Sequence, residues 1–558
     1  MNQLTDKPEW RRKVFDETII KRWKNEIVND HGPQFRREPL AGKAQGFTIQ
    51  CIDELQEKAK MFEETGMVMV LDVEALVIKS DSIVEEELRL ALISAVKPLE
   101  EVPNDDKFKD WHPGSDGKVL NLVHPSLFPL VYGRTKVRSH GEIGLKDCLI
   151  AAGSGEVAPQ PDNEETVHSS TFYYARKSHL WSKKFQWLPC EIKFVGDEVK
   201  ITSYINNLHP LRHEHLYSVI EKFIGKALPL WSCGIQRLDN GIGPRISIEK
   251  LGFEYVEDDK EGTLPGDMEL EQNLPDDRHR EKSEGSDEDI EDSDSEMDRS
   301  EDSELEDRLL CMPQPRAFRP TDPNEWPSDD FLRKKYAKEG LQVIIKLANI
   351  MLTPEKPRYG GGSWHVEGQL NEKICATALY YYDCENVTDS YLAFRGQIDT
   401  EDLHEMPGQG DYGYLEYLFD IEQHSDAMQD RGRVLTRQGR LLSFPNVFQH
   451  RVAPFSLVDP SKPGHRKILA LFLVDPGERI ISTANVPPQQ KDWWAETLRD
   501  TGALSVLPTE LFEAVIDEVV DPMDLEEAKE LRLELMDERK GLQETFGNDL
   551  NTFNFCEH

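Results

Sequence analysis

The sequence predicts an α+β protein in which a strand-rich sandwich or barrel is flanked by a mixed N-terminal region and a helical C-terminal segment. Three observations predict it. Residues Glu339–Pro476 hold many short apolar runs separated by turn residues. Gly46–Tyr255 mixes helical and alternating patterns, and the stretch from Gln489 to His558 has helical spacing.

A first helix is expected at Glu17–Val28, made locally basic by Arg11, Arg12, Lys13, Lys21, Arg22 and Lys24, and read as a solvated face or docking arm. Helical spacing recurs at Ile49–Glu63, Ile83–Val96 and Leu211–Ala227, the last with Leu216, Val219, Ile220 and Phe223 on one side. Met67–Leu71 is a short apolar strand. Glu191–Asn206 alternates like a hairpin turning near Gly196-Asp197. Strands are then expected at Leu341–Thr353, Trp364–Glu367, Ile374–Tyr382, Tyr391–Ile398, Arg440–Phe444, Gln449–Phe455 and Lys467–Asp475. Leu525–Leu542 is strongly helical, and its Leu525, Ala528, Leu531 and Leu535 are expected to cap the barrel. The divisions are a helical arm at 1–43, an α+β region at 44–256, an insertion at 257–307, the strand-rich domain at 308–488 and a helical segment at 489–558.

Charge is distributed unevenly. The chain of 558 residues carries −38, and residues 257–307 alone hold 24 acidic and 5 basic side chains, half of that net charge. So acidic and aromatic-poor a segment cannot bury enough apolar surface to offset its ordering entropy, and it is expected to be disordered. Ser286, Ser293 and Ser295, each followed by acidic residues, fit acid-directed kinases. The acidic balance disfavours nucleic acid and anionic membranes as partners. The eight cysteines form no Cys-x-x-Cys pair, which points to reduced thiols and a cytoplasmic or nuclear location. No apolar run is long enough to span a bilayer.

The chemistry lies in Trp364-His365-Val366-Glu367-Gly368, in Gln449-His450-Arg451-Val452 and in His465-Arg466-Lys467-Ile468-Leu469. Residues two apart on a strand share a face, so His365 and Glu367 can present two neighbouring ligands. A third, His450, comes from a distant strand. Two neutral imidazoles and one carboxylate can bind Fe(II) on one face and leave three positions open, enough for a chelating 2-oxoacid and O2. A buried arginine stays charged and can fork onto a distal carboxylate, the role expected of Arg466.

On these residues the chain resembles the Fe(II)/2-oxoglutarate-dependent dioxygenases, over roughly Glu339–Pro476. The resemblance implies a double-stranded β-helix (jelly-roll) core and an oxygenase that couples oxidative decarboxylation of 2-oxoglutarate to oxidation of a further substrate. It implies iron on His365, Glu367 and His450 and the cosubstrate's far carboxylate on Arg466. Relatives often carry Asp where this chain has Glu367, and some have Ser two places after the arginine, where this chain has Ile468. Tyr380 and Asn371 are therefore further candidates for the cosubstrate site. Nearly the whole chain also resembles a family of uncharacterised fungal proteins, through Asp110-Trp-His-Pro-Gly-Ser, Val123-His-Pro-Ser-Leu, Ser203-Tyr-Ile-Asn-Asn-Leu-His-Pro and Gly362-Ser-Trp-His-Val-Glu-Gly. The substrate is expected to be a protein or a small metabolite. Alternative readings are a non-enzymatic jelly-roll scaffold and a cupin-type metalloenzyme without 2-oxoglutarate.

Other motifs are weaker. His209, His213 and His215 are expected to cap or face solvent, because residues two apart on a helix diverge. His112 and His124, with Asn206, Asn207 and Arg134, are candidates to line a substrate cleft. Gly408-x-Gly410-x-x-Gly413 follows no strand and reads as a loop.

Overall fold

A computed structural model describes residues 1–29, 41–72, 75–102, 109–161, 181–239, 252–255, 308–311, 316, 318–320, 328, 330–397, 425–501, 503–519 and 521–548. The insertion at 257–307, with its three serines, and Gly408–Gly413 lie outside them.

The protein is mixed α+β and is built on a large antiparallel sheet. The strands that matter are β1 (Val68–Val70), β2 (Val77–Ser80), β3 (Asp110–Trp111), β4 (Val119–Val123), β5 (Cys190–Val195), β6 (Glu198–Ile201), β7 (Leu341–Leu352), β8 (Arg358–Tyr359), β9 (Ile374–Glu385), β10 (Ser390–Gln397), β11 (Met428–Thr436), β12 (Leu441–Pro445), β13 (Gln449–Val452), β14 (Phe455–Ser456) and β15 (Gly464–Val474). The large sheet runs β1-β2-β12-β9-β15-β7-β4-β3, and the β5–β6 hairpin joins it through β7. Strands from the N-terminal region thus extend both edges of a central β12-β9-β15-β7 unit. A small sheet runs β11-β10-β13, and β8 pairs with β14.

Burial explains the long central strands. β7 and β15 are rich in Ile, Leu and Val and covered on both faces. Helices α1 (Glu17–Asn29) and α2 (Ala41–Thr65) precede α3 (Glu86–Glu100) and α4 (Glu214–Asp239) in the chain. One face of the sheet packs Val343, Ile345, Leu347, Ala376, Ala378, Tyr380, Tyr382, Leu469, Leu471 and Leu473 against α3 and α4. The α4 stripe Leu216, Val219, Ile220 and Phe223 lies in that layer, as its spacing predicts, and continues to Trp231. The other face packs Ile344, Leu379, Tyr381, Phe444, Ala470 and Phe472 toward Leu392, Phe394 and Val434 of the small sheet.

Several expectations shift at the edges. Helix α4 ends at Asp239, well beyond Ala227, and β11 had no clear signal. Trp364–Glu367 is not a strand; His365 makes an isolated antiparallel bridge to His450. Leu525 is exposed, whereas Ala528 and Leu535 are buried on the C-terminal helix α5 (Leu525–Asn548). Among the described residues no helix is long and apolar enough to cross a membrane.

Candidate metal centre

His365 and His450 are brought together by the backbone. The His365 N–H donates to the His450 carbonyl at 3.1 Å, and the reverse bond is 2.9 Å. β13 is held in turn by β10, with His450 opposite Phe394. The ring centroids of the two histidines are 4.4 Å apart. Phe444 lies 4.8 Å from the His450 ring and walls it from one side. Gly361, with φ +92°, lets the chain pass β13, since a Cβ there would meet the Val452 carbonyl oxygen at 2.8 Å.

Glu367 Oε1 lies 3.7 Å from His365 Nε2 and 3.3 Å from His450 Nε2. One ligand atom from each residue falls within 4.8 Å of the others, the only such grouping of three among the described residues. Ligands at right angles around one ion stand about 3 Å apart, so small side-chain adjustments suffice for binding. His365 Nδ1 lies 2.9 Å from the Ser363 carbonyl, which can only accept; Nδ1 therefore carries the proton and Nε2 turns its lone pair inward. The donor set suits Fe(II) or a similar divalent ion.

Electrostatics match. Burial alone would push the Glu367 carboxyl up, but hydrogen bonds from His365 and His450 outweigh it and hold it well below the usual range. Burial opposes charge on His365, yet the bond to Glu367 raises its pKa. His450 is pushed down by burial and by the charge of His365. A carboxylate held ionised between two imidazoles can receive a cation.

Arg466, on β15, is 2 % exposed. Its guanidinium stacks on Tyr381 (4.5 Å) and Phe455 (5.4 Å) and donates to Thr436 Oγ1. Its Nε has no hydrogen-bond partner, and among the described residues no carboxylate pairs with it. A buried unpaired charge costs several kcal/mol, so this geometry calls for an anionic ligand.

Tyr380 and Asn371 do not join this cluster. Tyr380 faces the helical layer, 4.8 Å from Phe223. Side chains alternate along β9, so Tyr381 and not Tyr380 meets Arg466. Asn371 is used up structurally: Nδ2 donates to the Phe185 carbonyl (2.9 Å) and Oδ1 accepts from Ser182 N–H (3.4 Å). His209 packs on Trp493 at 4.9 Å, outside any metal grouping. Asn206 and Asn207 donate to backbone carbonyls at Leu127, Phe128 and His124 and so tie down a loop. Sequence reasoning missed Asn446, whose amide brackets Glu367; an Asn just after a strand carries no signal of its own.

Two family models match the chain. "Protein of unknown function (DUF4246)" covers residues 47–497, and "Domain of unknown function DUF4246, N-terminal" covers residues 1–26. The chain belongs to the DUF4246 family. No curated protein matches this DUF4246 member. Among solved structures it is similar to a selenomethionine-labelled Fe(II)/α-ketoglutarate-dependent dioxygenase, TqaL, at 17 % identity over 26 % of this chain and 48 % of that one, with a TM-score of 0.16. It is similar to a bsmA homolog from Methylobium petroleophilum PM1 at 15 % identity, over 30 % of this chain and 60 % of that one, with a TM-score of 0.17. IDO from Bacillus thuringiensis gives 13 % identity, coverage of 30 % and 67 %, and a TM-score of 0.15. The chain thus spans about half to two thirds of the length of these structures, and overlaps of this extent and score decide neither fold nor activity.

Proposed function

We propose that this DUF4246 member is an Fe(II)- and 2-oxoglutarate-dependent oxygenase built on a double-stranded β-helix. The observation that carries the reading is the His365–Glu367–His450 cluster together with a buried arginine, Arg466, that lacks an acidic partner. The strand path supports the β-helix: β7, β9, β12 and β15 lie in the large sheet, while β10, β11 and β13 lie in the small one, so the chain alternates between two layers.

With iron bound, the centre would supply a site where 2-oxoglutarate chelates and O2 is activated. Overall, 2-oxoglutarate, O2 and a substrate R–H become succinate, CO2 and R–OH. The chain's own residues have separate tasks. His365, Glu367 and His450 hold the ion, and the Ser363 carbonyl keeps His365 in the ligating tautomer. Arg466 orients the cosubstrate through its far carboxylate, and Tyr381 and Phe455 fix the guanidinium plane. Phe394 and Phe444 keep water from the His450 side.

The test is anaerobic addition of Fe(II) and 2-oxoglutarate to the full chain. A weak visible charge-transfer band and slow succinate release in air are expected, the release being lost in Arg466→Ala. His365→Ala should abolish iron binding. Stoichiometric iron retained by that variant would sink the assignment of the ligands. Iron bound without the band would instead favour the cupin-type reading.

A further inference from the structure

Among the charged residues on the interior face of the large sheet is Lys346. Residues opposite each other in antiparallel register share a face. Lys346 is opposite Ala470, Ala348 opposite Ile468, and Ile350 opposite Arg466, so Lys346 and Arg466 project from the same face. Four residues of β7 separate their positions, about 13 Å along the strand. Lys346, Ala348 and Ile468 are only half-buried, whereas Ile344 and Phe472 on one side and Ile350 and Arg466 on the other are buried. The face is thus more open at Lys346, Ala348 and Ile468 than on either side of them.

β4 carries this face outward. Asn121 is opposite Ala348, and Asp110 of β3 is opposite Asn121. His124 follows β4 directly and His112 follows β3 directly, and their rings lie 5.3 Å apart. The C-terminal helix α5 closes over them. Arg532 Nη1 binds Asp110 at 2.5 Å, and Arg539 binds Glu372 at 2.5 Å while stacking on Trp187 at 3.8 Å.

The charges do not balance. Asp110 answers Arg532, and Glu372 answers Arg539. Among the described residues Lys346 has no such partner: Glu367 acts on it only through longer-range attraction, without a hydrogen bond. His112 is hydrogen-bonded to Asn121, whereas the Ser126 N–H donates to His124 Nδ1 at 3.2 Å, so neutral His124 carries its proton on Nε2 and has an N–H to donate. Burial first, and then the charge of Lys346, push the pKa of both His112 and His124 down, to about 4 for His112. With a divalent ion on Glu367, the carboxylate nearest Lys346 would be engaged. A chain of net charge −38 therefore keeps an unanswered cation beside its metal centre.

We propose that Lys346, with the His112–His124 pair beside it, forms a subsite for an oxyanion of the substrate, a carboxylate or a phosphate. The subsite rests on the oxygenase reading for its place next to a cosubstrate and names the substrate class for that reading: a small anionic molecule whose charged end is anchored by the lysine. The desolvated ammonium supplies the charge-assisted hydrogen bond, and a neutral imidazole donates a further N–H.

The test uses the full chain loaded with Mn(II) and saturated with 2-oxoglutarate, titrated calorimetrically with sodium acetate and with inorganic phosphate. One oxyanion is expected to bind in addition to 2-oxoglutarate. Lys346→Met should weaken it about tenfold or more, and Lys346→Arg should hold it within about threefold, with 2-oxoglutarate affinity unchanged in both. Preference for acetate assigns a carboxylate, and preference for phosphate a phosphoryl group. Equal anion binding in wild type and Lys346→Met, or none in either, overturns the subsite. So does a loss in Lys346→Met that falls on 2-oxoglutarate itself, because Lys346 would then anchor the cosubstrate. Lys346-dependent anion binding in a chain that takes up no 2-oxoglutarate would refute the oxygenase reading and leave the subsite standing. Melting curves of both variants control for folding.

Discussion

Asn446 holds Glu367 by both of its backbone polar groups. Asn446 Oδ1 accepts the Glu367 N–H at 2.8 Å, and Nδ2 donates to the Glu367 carbonyl at 2.8 Å and to the Ile374 carbonyl at 3.0 Å. Glu367 therefore sits on a segment clamped to the end of β12 and the start of β9, although it lies in no strand. Asn446→Ala should lower divalent-metal affinity by about 10- to 100-fold while the fold persists. Metal titration followed by fluorescence checks this, and an unchanged affinity would show that the clamp is dispensable.

Arg466 and the two tyrosines separate by strand parity. Arg466→Met removes the buried guanidinium and should raise the 2-oxoglutarate requirement on the order of a hundredfold. Tyr380→Phe, on the opposite face, should leave it unchanged. Steady-state succinate release at varied 2-oxoglutarate measures both. An equal effect from the two variants would refute the assignment of faces.

Gly361 permits the close pass beneath β13. Gly361→Ala must place a Cβ against the Val452 carbonyl at a φ that favours glycine, which should cost about 1 kcal/mol or more. The displaced segment leads into His365, so metal affinity should fall along with the melting temperature. A variant with wild-type stability would mean that the loop relaxes freely.

Away from the site, Arg440 forks onto Asp81, Nε to Oδ1 at 2.7 Å and Nη2 to Oδ2 at 2.7 Å, and also meets Asp6 at 2.8 Å. Burial would push the Asp81 carboxyl up, but the bonds from Arg440 and Arg437 outweigh it and bring it down to about 2. A carboxyl depressed on folding adds stability that is present above its unfolded pKa, about 3.9, and is lost as the pH falls through the folded value. Asp81→Asn should therefore melt below wild type at pH 6, with the gap narrowing between about pH 4 and pH 2. Calorimetry across that window tests it, and a gap independent of pH would remove the ion pair from the acid response.

Much of the strand content was legible because long buried strands advertise themselves. Leu341–Leu352 and the run from Lys467 to Val474 are apolar over lengths that only a doubly covered strand needs. The β5–β6 hairpin announced itself by alternation and by Gly196 at its turn, with φ +60°. β11 was not legible: Met428–Thr436 holds Gln, Asp and two Arg, with little apolar content to mark it. The segment Trp364–Glu367 read as a strand because of its residue types, yet it pairs only through the one bridge at His365.

The residue types and their order pointed to the candidate donor set by themselves: His365 and Glu367 two apart, a distant histidine, and an arginine on a late apolar run. Ligand chemistry is a property of side chains, so it can be read from their types before their placement is known. Which residues share a surface was decided only by tertiary structure. Parity assigns Tyr380 to one face and Tyr381 to the other, but the two faces became distinguishable only once α3 and α4 had covered one of them. Lys346 sits in an apolar run that gives no hint of its surroundings, and the fold sets it near His112 and Arg539, each about two hundred residues away in sequence. Such contacts depend on the register between strands and on helix docking, both set by the packing of the whole chain and neither written in any local stretch of it.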